Sequence, residues 1–408
     1  MTKVFVRKFL VLIWPILLLL AGCQSISMVP TRASLSMVPG GLPPTFTAMP
    51  GTAVATLTPV GTLRALPPTN TPEFIPSHTP VPPTITPTET PTPTVEGTVP
   101  PVIKPIHTYG LHEAIPYQAF PKPPGDNGWG MHWMPTVSQE PGVVDQFVAE
   151  MVRMHIKWVV FLNDGTNIGS NDYLVERLVA NGIMPVMRLY RDGILPYDGN
   201  LGEVVRHYRA KGVYYFQLYN EPNVDIENQQ SFANPDQYAR AWADAARVVI
   251  ANGGLPGIGA LSPGGSYNHL EFLDRTFYAL EYNGDAYLLN HAWLSAHNYH
   301  GTRPYNDPGG FLLFREYDKI VQAHLGRSLP IIGTEGGSYH PDPAVDMQFI
   351  QYQYSYMRNR EPYFLAFSYW LIANRAGGGH DGQWEWQTLI RPGYVHPVVT
   401  EFFYNNAR

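Results

Sequence analysis

The chain has 408 residues and a formal net charge of -6, with only 15% charged residues and no basic stripe. It therefore lacks the electrostatic footprint of a nucleic-acid binder. Its one cysteine, Cys23, excludes an intramolecular disulfide. Hydrophobic residues make up 44% of the chain, enough for a sizeable core, and their spacing divides the sequence into three regions.

The first region is residues 1–22. Lys3, Arg7 and Lys8 form a basic start, Phe9 to Leu20 an apolar run, and Leu20-Ala21-Gly22-Cys23 a small-residue close. That is the layout of a signal peptide. The apolar run falls short of the ~20 residues that span a bilayer. Leu-Ala-Gly-Cys resembles the lipobox of bacterial lipoproteins, which implies cleavage before Cys23 and a lipid on its thiol. A membrane partner is then expected through that anchor, on the extracytoplasmic face; simple secretion is the plainer alternative. Residues 23–105 follow, dense in Pro and Thr, as in Thr86-Pro87-Thr88-Glu89-Thr90-Pro91-Thr92-Pro93. A stretch without apolar periodicity cannot offset its ordering entropy. We read it as a disordered, partly polyproline tether reaching on the order of 200 Å at ~3.1 Å per residue.

From residue 106 to 408 strands and helices alternate. Asn127–Met134 reads as a first strand and Val143–Met154 as a helix, with Val144, Phe147, Val148, Met151 and Val152 on one face. Strands are expected at Ile156–Asn163, Ile183–Tyr190, Val213–Tyr219, Ile258–Ser262, Ala292–His297, Ile331–Thr334 and Phe364–Ile372. Helices are expected at Asp172–Asn181, Leu201–Lys211, from Asn234-Pro235 onward, and at Leu270–Tyr282, Phe311–Leu325, Pro343–Arg358 and Pro397–Tyr404. Eight such pairs in about 300 residues fit an α/β fold of the (β/α)8 TIM-barrel type.

Two of these strands end on a glutamate. Val213-Tyr214-Tyr215-Phe216-Gln217-Leu218-Tyr219 runs into Asn220-Glu221-Pro222, where proline stops the strand. Leu329-Pro330-Ile331-Ile332-Gly333-Thr334 runs into Glu335-Gly336-Gly337. The carboxyl ends of barrel strands form the active face. Acetal cleavage needs one carboxyl to protonate the leaving oxygen and another to attack or to activate water. No His-Glu-x-x-His spacing, phosphate-cradling Gly-x-x-x-x-Gly-Lys run or dinucleotide fingerprint is present, so neither metal nor cofactor is expected.

On these residues the chain resembles the clan A glycoside hydrolases, and among them the cellulase-like family 5. The resemblance implies that Glu221 is the acid/base, Glu335 the nucleophile and Asn220 a ligand of the sugar 2-hydroxyl. His297-Asn298-Tyr299 is similar to a family His-x-Tyr pattern whose tyrosine contacts the nucleophile. Trp370 matches the aromatic floor under the cleaved sugar. The usual arginine of the second strand is missing, and Arg188 of the third is its candidate replacement. Gly-Gly-Ser-Tyr after Glu335 is looser than the family pattern. The implied activity is a retaining hydrolase of a neutral, β-linked oligo- or polysaccharide; the same residues would serve a transglycosylase.

Other residues read both ways. Trp129, His132 and Trp133 are candidates to line the pocket or to pack. His291 and His300 read as structural. Trp384 and Trp386, in the glycine-rich loop after the eighth strand, would stack on sugars or pack the loop down. Two other classes compete with the enzyme: a non-catalytic carbohydrate-binding lipoprotein on the same barrel, and a surface display platform with no sugar affinity. Nothing in the sequence sets an oligomeric state.

Overall fold

The computed structural model describes residues 109–137, 140–228, 232–374 and 382–406. The segments expected to be a signal peptide and a tether, with Cys23, and residues 375–381 of the loop after the eighth strand lie outside them. Among the described residues no helix is long and apolar enough to cross a membrane.

Eight parallel strands close into a barrel: β1 (Trp129–His132), β2 (Trp158–Asp164), β3 (Met184–Tyr190), β4 (Tyr215–Leu218), β5 (Leu255–Leu261), β6 (Trp293–His297), β7 (Ile331–Glu335) and β8 (Phe364–Tyr369). Pairing of Trp129, Gly130 and Met131 with Phe367, Ser368 and Tyr369 closes the ring. Helices α1 (Pro141–Arg153), α2 (Asp172–Ala180), α3 (Leu201–Ala210), α4 (Pro235–Ala251), α5 (His269–Tyr282), α6 (Leu313–Leu325) and α7 (Pro343–Tyr356) follow the first seven strands. This is the (β/α)8 TIM barrel.

Local chemistry sets the boundaries. Asn234 caps α4 by accepting from the Gln237 N–H at 3.0 Å, with Pro235 in the first turn, as the sequence suggests. Gly182 stands just past α2 at φ +66°, the left-handed stop a glycine supplies. Val152 lies off the buried stripe of α1 and is exposed, and β8 stops at Tyr369 rather than Ile372. Three further expectations change. β1 is shorter than Asn127–Met134, because the Asp126 and Asn127 side chains bind the N–H groups of Gly128 and Trp129 and make a turn. β5 begins at Leu255, not Ile258. Its Pro256-Gly257 looks like a loop, yet a Cβ on Gly257 would lie 2.5 Å from the Trp293 ring, so glycine makes room for that indole. The closing helix is a π-helical turn over Val399–Phe403.

Strand alternation divides the core in two. Val159 and Phe161 of β2 face the helices in the large outer cluster. Trp158 and Val160 face inward, with Val186 of β3, Tyr215 of β4, Trp293 of β6 and Ile332 of β7. The Trp158, Tyr215 and Trp293 rings meet at 5.5 and 5.8 Å and fill the lower lumen. One layer up the lumen turns polar, with Ser295 Oγ and Thr334 Oγ1 2.7 Å apart. The next inward positions lie at the carboxyl ends of the strands.

Candidate active site

The inward alternation that places Trp293 and Ser295 places His297 next on β6, and on β3 it places Arg188 two residues beyond Val186. Both are buried. Each carries polar chemistry into a lumen that is apolar below, so their partners decide what they do.

Those partners are the two strand-end glutamates. The Arg188 guanidinium forms a buried ion pair with Glu335 Oε1. The Tyr299 hydroxyl donates to Glu335 Oε2 at 2.6 Å. His297 lies between the carboxylates, Nδ1 3.0 Å from Glu221 Oε1 and Nε2 3.6 Å from Glu335 Oε1. One atom each of Glu221, His297 and Glu335 lies within 4.8 Å of the others. Burial alone would raise the Glu335 pKa. The charges of His297 and Arg188 and the Tyr299 hydrogen bond outweigh it and hold the carboxyl down at about 2. Glu335 is therefore a carboxylate at any ordinary pH.

Glu221 is positioned by its backbone. It has φ +42°, with Tyr219 at +63° and Ala260 at +54° close by. For non-glycine residues these are strained conformations, found where the surroundings impose them. The Glu221 N–H donates to Ala260 O at 2.8 Å. The following loop is clamped: Asn223 Nδ2 donates to Ser262 O at 2.8 Å, and Asn228 Nδ2 to Pro222 O at 2.8 Å. Beyond Glu335, a Cβ on Gly336 would lie 2.3 Å from the Phe367 ring, so glycine is required where the chain leaves β7 against β8.

The remaining candidates divide by face. His132 points inward, its ring 4.2 Å from that of Trp370. Burial pulls its pKa down to about 3, so it is neutral. Its Nδ1 sits 2.7 Å from Trp133 O, a carbonyl that only accepts, so Nδ1 bears the proton and Nε2 is a bare acceptor. Trp129 and Trp133, at the alternate positions, face the helices instead. Trp129 Nε1 donates to Tyr354 O, and Trp133 packs on Phe147, so neither lines the pocket. His300 packs among Tyr305 and Phe349, and His291 Nε2 lies 3.1 Å from Gly110 O, both as structural residues do. Trp370 is buried beneath the edge of Trp384 at 5.5 Å, while Trp386 turns away onto Tyr339.

One residue at the site escapes the sequence reading. Glu227, in the loop after β4, feels the charges of Glu221, Arg188 and Glu335, and its carboxyl is a hydrogen-bond partner of Asn220. Burial, reinforced by Glu221, raises its pKa to about 7. It stands in a polar, aperiodic loop, and no motif marks it.

Several buried polar atoms here make no hydrogen bond among the described residues: His132 Nε2, Asn220 Oδ1, Trp370 Nε1 and His297 Nε2. Buried polar atoms are normally satisfied, so a cluster of open donors and acceptors suits a ligand rich in hydroxyls. The Glu221–His297–Glu335 trio also has the spacing of a metal ligand set. A cation there would have to share Glu335 Oε1 with the Arg188 guanidinium, which favours proton chemistry over metal ligation.

No family model matches the chain, and no curated protein matches it. Solved structures do. A family 128 (subgroup II) endo-β-1,3-glucanase from Pseudomonas viridiflava is 13% identical, with a TM-score of 0.46 over 69% of this chain and 98% of that one. A family 39 glycoside hydrolase from Bacteroides cellulosilyticus is 14% identical, with a TM-score of 0.47 over 72% and 66%. A Bacteroides uniformis β-glucuronidase is 12% identical with a TM-score of 0.46, and there the chain spans only 35% of the other's length. At such identities the chemistry has to be argued from the side chains themselves.

Proposed function

We propose that the protein is a retaining glycoside hydrolase. The observation that carries the reading is the pair of strand-end carboxyl groups, with oxygens within 4.8 Å and Glu335 held ionised. A separation of about 5–5.5 Å goes with covalent double displacement, whereas inverting enzymes leave about 6.5–9.5 Å for a water.

In the first step the Glu335 carboxylate bonds to the anomeric carbon. The electron pair of the breaking C–O bond leaves with the aglycone oxygen, which takes the proton of Glu221. In the second, Glu221 removes a proton from water, whose oxygen displaces Glu335 from the anomeric carbon. Arg188 and Tyr299, one on each oxygen of Glu335, fix the nucleophile's aim. His297, in reach of both carboxyls, couples their charges. Asn220 and Trp370 present open polar atoms to the sugar.

The substrate is proposed to be a neutral β-linked oligo- or polysaccharide. Among the described residues the guanidinium at the site, Arg188, is already engaged by Glu335, so it is not free to hold an anionic sugar. The β linkage follows from the resemblance to clan A. We further propose display outside the cell on a lipid attached to Cys23, with residues 23–105 as the tether.

A panel of aryl β-glycosides and β-glycans tests the reading. Turnover that falls at least about 10⁴-fold in Glu335→Gln is expected. Glycan binding without turnover in the wild type would contradict it and favour a binding protein.

A further inference from the structure

A cavity of about 350 Å³ opens between the loop after β7 and the hairpin of β9 (Ile390–Arg391) and β10 (Tyr394–Val395). Tyr339, Asp346, Trp386, Arg391, Tyr394 and His396 line it. None of these belongs to the machinery described above.

The lining combines two chemistries that meet in sugar recognition. Aromatic faces come first. Trp386 is 50% exposed, whereas Trp129, Trp133, Trp158, Trp242 and Trp293 are fully buried. Its ring stands edge-on to Tyr339 at 5.5 Å. The Arg391 guanidinium lies 4.1 Å above the Tyr394 ring. Buried charged groups come second. Asp346 and His396 are 4% and 6% exposed, with His396 Nε2 3.4 Å from Asp346 Oδ2. His396 Nδ1 accepts from the Val398 N–H at 3.2 Å, so Nε2 carries the ring proton. That N–H faces the Asp346 carboxylate without making a well-aligned hydrogen bond among the described residues. The buried Asp346 carboxylate disfavours an anion; stacking faces beside a loosely held imidazole–carboxylate pair suit the hydroxyls of a neutral pyranose.

Tyr339 joins this cavity to the catalytic pair. Its ring lies 5.3 Å from Tyr299, whose hydroxyl holds Glu335, and it has φ +57°, a strained value for a tyrosine. The two sites are one aromatic ring apart. We infer that the cavity between the β7 loop and the β9–β10 hairpin is a distal sugar site, holding a neutral pyranose unit of the same glycan whose cleaved bond lies at Glu335. The inference rests on the proposed function and adds that the enzyme reads chains rather than short glycosides.

Binding and turnover separate the two claims. Glu335→Gln protein is titrated with β-1,4-linked gluco- and mannohexaose, with β-1,3-linked glucohexaose, and with the matching disaccharides. Adding Trp386→Ala is expected to weaken the best hexasaccharide about tenfold and to leave its disaccharide unchanged. Arg391→Met, which keeps the aromatic wall, should weaken it less. Equal hexasaccharide affinity with and without Trp386, or an equal loss for both lengths, overturns the distal site, as does a panel in which no hexasaccharide binds. Absence of turnover in the wild type, with the length-dependent loss intact, overturns the hydrolase and leaves the sugar site standing.

Discussion

The lower and upper halves of the barrel lumen are built by one rule and do opposite things. Every second residue of each strand points inward. In the lower half those residues are Trp158, Val160, Val186, Tyr215, Trp293 and Ile332, packed without a charge among them. Two positions beyond Val186 on β3 and four beyond Trp293 on β6 the inward residues are Arg188 and His297, held against Glu335 and Glu221. The plug below excludes water and fixes the strands. The layer above spends that rigidity on aiming charged groups at one point. One step of the alternation on β3, and two on β6, thus separate the apolar plug from the charged layer.

The comparison breaks if the halves are not separable, and three substitutions test that. The largest effect belongs below. Trp293→Ala removes a fully buried indole from the plug and should cost about 3–5 kcal/mol of unfolding free energy, read by denaturant melts, with activity per folded molecule retained. A loss below about 1 kcal/mol would show that the plug is not holding the barrel.

The next effect belongs above. Tyr299→Phe deletes the hydroxyl that donates to Glu335 Oε2 at 2.6 Å. A hydrogen bond to a charged group is worth about 1.5–3 kcal/mol. Turnover should therefore drop roughly tenfold to a hundredfold, while melting shifts far less than in Trp293→Ala. Unchanged kinetics would remove Tyr299 from the site.

The smallest effect lies at the rim. The pKa of Glu227 rises from 4.5 to about 7 in the folded chain. The unfolded chain releases this proton first, so the group's contribution is full below pH 4.5 and is lost as pH rises to about 7. Melting temperature should fall less over that window in Glu227→Gln than in the wild type. Parallel curves would mean that Glu227 is not held protonated.

What the sequence could reveal follows from the same physics. Barrel strands are legible because burial on both faces leaves short apolar runs, and Glu221 and Glu335 stand out as charges where such runs end. Arg188 is legible as a lone charge inside Met184–Tyr190, although its partner is 147 residues away, beyond the reach of any local pattern. The face of a tryptophan is harder to read. Trp129 and Trp133 share one parity with the helix-facing side, and the single alternate histidine, His132, is the one that enters the lumen. β5 misleads because its Gly257 serves the bulk of Trp293 on the neighbouring strand, a requirement that appears only once the strands are paired. Glu227 has no local signature, since loop geometry rather than periodicity brings it to the site.

The central claim is that Glu335 attacks the sugar. Its most direct test is a 2-deoxy-2-fluoro β-glycoside with a good leaving group, which slows release of a glycosyl-enzyme, followed by mass analysis of the peptide that carries the label. One added glycosyl unit per chain is expected, located on Glu335, and none in Glu335→Gln. A label on another residue, or turnover of an ordinary substrate with inversion at the anomeric carbon, would contradict it.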